Sequence, residues 1–408
     1  MPNISKRSIG TYESPIRKLA PSANKAEADG KHVFYLNIGQ PDIVTPPSAI
    51  QAVRDANMPV VKYAPSRGIA TYIKRLEQSY QAKGYRVENQ NIFVTNGASE
   101  AIQLLLVACL DFTDNVLIPE PLYANYVGFA EYANVQVKPL TSSIKNGFAL
   151  PDIKDFEQAI DKKTRAILIC NPNNPTGAFY SKETLIELAA LCRKKDLFLF
   201  VDEVYSEFCY DDNTFFSALE LEGMDNHVAM VDSVSKRFSA CGARVGNIVC
   251  RNPEVIAAIN KFAQFRLSAP TMGQILAEAL LDVGDDYITE VKREYARRRA
   301  VLYNRLRNMK DVICYEPGGA FYVFAELPID NADRFCKWLL EDFAFENQTI
   351  MLAPGSGFYA TTGLGLNQVR IAYVLNTTDL NKAMDCLEHA LEVYPYRTKK
   401  MVSESLNS

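Results

Sequence analysis

The chain has 408 residues, of which 48% are apolar and 23% charged, with a formal net charge of −4. That is the composition of a globular chain long enough for about two domains, and its dispersed basic residues give no nucleic-acid footprint. No run approaches the ~18 uninterrupted apolar residues of a membrane helix, and the opening MPNISKRSIG lacks the apolar centre of a secretory signal.

In chain order, the first 45 residues lack strong periodicity and carry turn signals (IGQPD, TPP), so they read as an arm or wrap. From about residue 90 to 250, short apolar strands alternate with amphipathic helices. The predicted strands are Ile92–Thr95, Val116–Ile118, Val135–Val137, Arg165–Cys170, Leu197–Val201, Val228–Asp232 and Asn247–Cys250; predicted helices include Ser99–Leu110 and Lys182–Lys194. This alternation is the sequence form of βαβ units and predicts a mainly parallel sheet covered by helices on both faces. After Pro270 the pattern changes. A long helix is predicted at Tyr287–Met309, short strands around Gly319–Glu326 and Val369–Ala372, and helices at Asn331–Asp342 and Asp379–Leu391. The expected architecture is α/β: a large domain over 46–295, and a smaller α+β domain built from both chain ends, 1–45 and 296–408. The basic run Lys292 to Arg299 reads as a solvated helix face, and the last eight or so residues as disordered.

Nine scattered cysteines form no CxxC pair, so neither zinc nor a disulfide framework is indicated, and free thiols in a reducing cytoplasm are expected. His32, His227 and His389 sit in no metal-ligand or triad spacing, so acid–base chemistry should rest on other groups.

Four segments carry candidate chemistry, each directly after a predicted strand. In VDSVSKRFSACGARVG (231–246), Lys236 at a strand end can form an imine with an aldehyde cofactor, while Ser233, Ser235 and Arg244 can bind a phosphate. Taken alone, the pattern fits a surface lysine with incidental serines better. In LFLFVDEVYSEF (197–208), Asp202 falls at the C-terminal end of a buried strand, where α/β sheets place ligands. A buried carboxylate there needs a cationic partner such as a protonated pyridine nitrogen. Tyr205 can hydrogen-bond a phenolic oxygen. A Walker-B-like metal site is the alternative, but no GxxxxGK[ST] loop accompanies it. In CNPNNPTG (170–177), two Asn-Pro steps force a tight turn that fixes the amide of Asn174; Asn174–Pro175 is predicted to be cis, and a simple strand-to-helix turn is the plain alternative. In TNGASEA (95–101), Gly97, Ala98 and Ser99 open a helix whose N–H groups suit an anion, though an ordinary capped helix reads equally well.

The ordered set YAPSRG, TNGASEA, PEPLY, NPNNPTG, DEVY, SVSK and NQVRIAY, with NIGQPD before it, spans about Asn37 to Ala372. It resembles the class I pyridoxal-phosphate aminotransferases, the aspartate-aminotransferase-like enzymes of fold type I. The resemblance implies pyridoxal 5'-phosphate as cofactor, Lys236 as Schiff-base lysine and proton shuttle, and Asp202 on the pyridine nitrogen. It implies Asn174 and Tyr205 on the phenolic oxygen, Tyr123 stacked on the ring, and Gly97, Ala98, Ser99, Ser233, Ser235 and Arg244 at the phosphate. Tyr63 is implied to reach the phosphate of a neighbouring subunit, which makes a homodimer with shared sites part of the expectation. Arg370 is implied to grip the substrate's α-carboxylate, with Gly39 and Asn174 beside the substrate. The implied activity moves an amino group from an amino acid to a 2-oxo acid, with aspartate, glutamate or an aromatic amino acid as donor.

The sequence also departs from that pattern. Ser99 stands where part of the aspartate-specific group has a lysine, and Tyr123 where the best-known members have tryptophan. Arg266, about two residues out of register, and Arg67 are the candidates for a distal carboxylate, each weighed against an ordinary surface or interface residue. GGAFYVF (318–324) and PGSGF (354–358) read as walls closing on substrate, either a mobile lid or structural turns. The same residues serve C–S β-lyases, decarboxylases and cyclopropane-forming synthases. A non-catalytic regulator would need a DNA-binding domain, for which the sequence leaves no room.

Overall fold

A computed structural model describes residues 2–5, 8, 9, 11 and 13–398; the tail expected to be disordered lies outside the described residues. The chain divides into two compact units. One comprises residues 1–12, 40–294 and 318–320, the other 13–39, 295–317 and 321–408. Residues 40–45, read from the sequence as part of the arm, group with the first unit.

The first unit is built on a seven-stranded sheet in the order Ile92–Thr95, Gly246–Cys250, Val228–Ser233, Phe198–Asp202, Thr164–Cys170, Asn115–Glu120, Gln136–Thr141. All neighbours are parallel except those of Gly246–Cys250, which runs against both. The central strands are continuous apolar runs because both faces are covered; Val228–Ser233 is buried at every position. The helices between them are punctuated by their own sequence. Ser181 caps Lys182–Lys195 by accepting Thr184 N–H, Glu183 lies in its first turn, and Arg193, Lys194 and Lys195 in its last. Asp196 ends it in the left-handed region.

Strand register then positions the site. Thr95 pairs with Gly246, Gly246 with Ser233, and Asp202 with both Val231 and Cys170. The C-terminal ends of the parallel strands and the start of the one antiparallel strand therefore share one edge of the sheet. His227 lies just before Val228, at the opposite end of its strand.

The second unit holds a three-stranded antiparallel sheet, Ala353–Pro354, Gln368–Ala372, Tyr322–Glu326, and a parallel pair, His32–Tyr35 with Gln348–Met351. The expected strand from Gly319 begins only at Tyr322. Residues 13–39, assigned from the sequence to the smaller domain but as an arm without elements of its own, contribute the helix Ala20–Ala28 and one of these strands. Their pairing partners lie near the other end of the chain, a relation that local periodicity does not carry.

The basic run is the expected solvated face only in part: Arg293 and Arg297 are exposed, whereas its last two arginines are buried. Arg298 and Arg299 are only 4% and 6% exposed. Arg298 donates to the carbonyl of Val374, and Arg299 to that of Pro317 at 2.8 Å, with Glu316 at 3.2 Å. Long arginine stems reach such carbonyls while their guanidinium groups stay hydrogen-bonded.

Candidate active site

At the end of Ile92–Thr95 the chain turns into the helix Gly97–Cys109. Gly97 has φ +75°, and a Cβ there would lie 2.5 Å from Arg244 Nη2. Only glycine accepts both constraints. Arg244 itself is left-handed, φ 53°, and donates to the carbonyls of Cys241 at 3.1 Å and Asn96 at 3.5 Å. Gly246 lets the helix start press onto the sheet, since a Cβ would meet Ala98 N at 2.8 Å. The first-turn N–H groups, Arg244 and the next strand end thus converge.

That strand end is Ser233. Its Oγ accepts the N–H of Ser235 at 3.2 Å, lies 2.8 Å from Ser235 Oγ and donates to Val245 O at 2.7 Å. It caps the four-residue helix Val234–Arg237 that carries Lys236. Lys236 Nζ lies 5.9 Å from the centre of the Tyr205 ring.

One strand further, Asp202 is 5% exposed. Its donors are the Tyr126 hydroxyl at 2.7 Å and Val204 N–H at 3.3 Å, both uncharged. Burial pushes its carboxyl up to about 6, against the pull of the Tyr126 hydrogen bond and of Lys236 nearby. Tyr126 was absent from the sequence-derived set. The available signal was its spacing, three residues after Tyr123 at the opening of the helix Asn125–Ala133. The two rings meet edge to face at 5.3 Å, and Tyr123 Oη accepts Asn125 Nδ2 at 2.7 Å.

The turn after Thr164–Cys170 divides its asparagines by task. Asn171 exchanges hydrogen bonds with the backbone of Tyr180 at 2.9 and 3.1 Å. Asn173 Oδ1 accepts from Thr176 N at 3.2 Å and Thr176 Oγ1 at 2.7 Å. Asn174 remains to donate to Tyr205 Oη at 3.5 Å. Asn174–Pro175 is cis, as expected, and so are Asn171–Pro172 and Glu120–Pro121. Gly319 packs here, where a Cβ would lie 2.5 Å from the Pro172 side chain, which supports the structural-turn reading of this glycine.

The remaining candidates are placed apart. Tyr63 is 78% exposed. Arg67 gives its Nε to Ile92 O at 3.0 Å and a second donor to Asn89 O. Arg266 pairs with Glu100 at 3.0 Å and donates to Ser66 O and Val94 O at 2.9 and 3.0 Å. Both arginines donate to groups of their own chain, which supports the surface-or-interface alternative for each.

Gly39 and Arg370 belong to the second unit. Arg370 is 1% exposed in the strand Gln368–Ala372. It donates Nη2 to Asn37 O at 2.5 Å and lies 4.5 and 4.8 Å from the Tyr322 and Phe358 ring centres. A Cβ on Gly39 would fall 1.8 Å from Tyr322 Oη, so Tyr322 dictates the glycine.

Known proteins share this fold. A sequence profile described as Aminotransferase class I and II matches residues 31–387. The chain belongs to the class I and II aminotransferases. It is 30% identical to the aspartate aminotransferase of Pyrococcus horikoshii over 396 residues, 95% of this chain and 97% of that one. It is 32% identical to the Thermotoga maritima aspartate aminotransferase over 389 residues, 93% and 97% of the two chains. Thermus thermophilus aspartate aminotransferase with maleate superposes with a TM-score of 0.87 at 28% identity, covering 96% of this chain and all (100%) of the other. The activity of this aminotransferase is the transfer of an amino group between an amino acid and a 2-oxo acid, and its family works with pyridoxal phosphate. The residues fit that group. Buried Asp202, supplied with neutral donors, suits a protonated ring nitrogen, and the cradle at Gly97 that a Cβ would fill suits a phosphate. Among the described residues no helix is long and apolar enough to cross a membrane.

Proposed function

We propose that this aminotransferase takes its amino group from aspartate, glutamate or an aromatic amino acid and works in the cytoplasm as a homodimer with shared sites. The donor range is supported by relatives named aspartate aminotransferase and, from Thermococcus litoralis, aromatic-amino-acid aminotransferase 2. The observation that supports the site assignment is the shared sheet edge, where Asp202 pairs with Val231 and, two residues on, Ser233 pairs with Gly246.

Pyridoxal phosphate supplies an aldehyde carbon and an electron-withdrawing ring that accepts the electrons released when the substrate's α-proton leaves. Asp202 would keep the ring nitrogen protonated by offering a buried anion. Asn174 and Tyr205 would bind the phenolic oxygen, and Tyr123 would supply an aromatic face for the ring. Gly97, Ala98 and Ser99 bind the phosphate through N–H groups, with Ser233, Ser235 and Arg244 beside them. Lys236 Nζ would hold the cofactor at its aldehyde carbon, and its amine would take the substrate's α-proton and pass it on. Arg370 orients the substrate through a two-pronged bond to its α-carboxylate, with Gly39 and Asn174 alongside. Tyr63 of the partner subunit completes the phosphate site. The exposed Val60, Val61, Tyr63, Phe265 and Leu267 support a second copy as the covering surface.

An absorption spectrum of the purified protein, followed by single amino acids, tests this reading. Bleaching of a band at the visible edge by aspartate, glutamate or an aromatic amino acid, reversed by 2-oxoglutarate, is expected. Release of ammonia and pyruvate would make it a C–S β-lyase instead, and a protein that stays colourless with added cofactor would overturn Lys236. Sedimentation tests the dimer.

A further inference from the structure

Lys236 sits on a helix of four residues, too short to be held by its own hydrogen bonds. Its two flanks are joined. Arg237 Nη2 forms an ion pair with Asp232 Oδ2, on the strand just before the turn. Asp232 Oδ1 accepts Ser233 N–H at 2.7 Å, and its Oδ2 takes the Tyr80 hydroxyl at 3.2 Å. Tyr80 is in turn held by Asn247 Nδ2 at 2.8 Å. On the other side Arg237 Nη1 lies 3.6 Å from Glu207 Oε1, which Lys83 meets at 2.7 Å. The Arg237 and Asp232 side chains are 13% and 9% exposed, so each charge depends on its partners.

We propose that the Asp232–Arg237 pair is a positioning device for Lys236: it fixes the turn that carries the lysine and cancels a buried anion that would otherwise bias the charge held on Nζ. This rests on Lys236 being the cofactor-binding lysine. Burial works against the Arg237 charge, yet Asp232 and Glu207 hold its pKa above the ordinary range. Asp232 also adds to the burial that raises Asp202, so its field reaches the site.

The other groups facing the pair come from four elements. Tyr72 and Tyr80 of the helix Ala70–Ala82 are kept neutral by burial beside Asp232. Glu203 and Tyr85 also feel Asp232. Glu207 is balanced by Lys83, Arg237 and Lys292. Lys236 itself faces Asp202, Cys170 and Tyr205.

The test is a pH titration of the visible absorption band of the cofactor-loaded protein, with urea unfolding of the apo-protein alongside. Arg237→Met leaves Asp232 uncompensated and should raise the band's midpoint by about 1 in pH; Asp232→Asn leaves Arg237 in excess and should lower it by about as much. The double variant, with neither charge, should return to within about 0.3 of wild type. Loss of packing alone lowers the urea midpoint but gives neither opposite signs nor cancellation. Midpoints that stay put, or move the same way in both single variants, overturn the proposal. Should a single variant not fold, Arg237→Lys keeps the charge and should hold the midpoint within about 0.3; a full displacement of about 1 there also overturns it. A wild-type protein with no band would instead sink the assignment of Lys236 on which the pair depends.

Discussion

Tyr126 donates its hydroxyl to Asp202 Oδ2 at 2.7 Å, from one buried side chain to another. The bond stabilises the charged carboxylate, but burial outweighs it and leaves the Asp202 carboxyl at about 6. Before cofactor binds, the folded chain therefore carries a costly anion above that pH. The sign follows from linkage. With the folded pKa above the unfolded value, the folded state binds the extra proton, and stability falls as pH rises toward and through 6. Asp202→Asn should thus stabilise the apo-protein by about 2 kcal/mol at pH 8 and by less at pH 5, while transamination falls by about 10³-fold or more. Urea unfolding at the two pH values checks the first part; equal gains at both would refute it.

Tyr126→Phe takes away the hydroxyl and keeps the ring. The Asp202 carboxyl should then rise further, and apo-protein stability at pH 8 should drop by about 1–3 kcal/mol. The edge-to-face contact with Tyr123 survives this change, so any loss reports the hydrogen bond. A carboxyl titration followed by infrared difference spectroscopy measures the rise directly.

At the phosphate cradle, Gly97→Ala meets two obstacles, a positive φ and a contact with Arg244. Strain of about 1 kcal/mol is expected. Arg244 must also shift from the helix start, so cofactor affinity should fall at least about tenfold. Equilibrium dialysis of the apo-protein with pyridoxal phosphate reads the affinity apart from turnover. An affinity equal to wild type would show that the Gly97–Arg244 contact does not shape the cradle.

Arg266→Ala separates two roles for one arginine. Its Nε meets Glu100 while both Nη atoms cap backbone carbonyls, so its removal should cost about 2–3 kcal/mol of stability. The KM for aspartate and glutamate should stay within about twofold, because uniform binding to substrate is not lost. A KM raised for dicarboxylates alone would assign Arg266 to the distal carboxylate.

Much of this architecture could be read from the chain because strands buried on both faces must be continuous apolar runs. ILIC before Asn171 and FLFV before Asp202 announce both a strand and the edge where polar residues emerge. The reversed direction of Gly246–Cys250 was not legible, since GNIVC has the same texture as its parallel neighbours. Residues 13–39 escaped because His32–Tyr35 finds its partner in Gln348–Met351, far along the chain. Tyr126 and the Asp232–Arg237 pair escaped for a related reason. Each gains its meaning from a buried neighbour on another element or across a turn, and a tyrosine or an arginine alone is more often plain packing or surface.

Arg370 offers the sharpest test of the second unit. Its guanidinium lies 4.5 and 4.8 Å from the centres of the Tyr322 and Phe358 rings, and the residue is 1% exposed. A planar, weakly hydrated cation suits that slot and can still present a fork to a carboxylate. Arg370→Lys keeps the charge but puts a compact, strongly hydrated ammonium beside two rings, and it cannot make the two-pronged bond. KM for every amino acid donor should rise by about 100-fold, with kcat reduced much less. The pyridoxal-phosphate spectrum should stay unchanged, because Arg370 is assigned to substrate alone. Steady-state kinetics on two donors of different side chain, beside the spectrum, settle the matter. An effect confined to one donor would place Arg370 at the side chain of the substrate and not at its α-carboxylate.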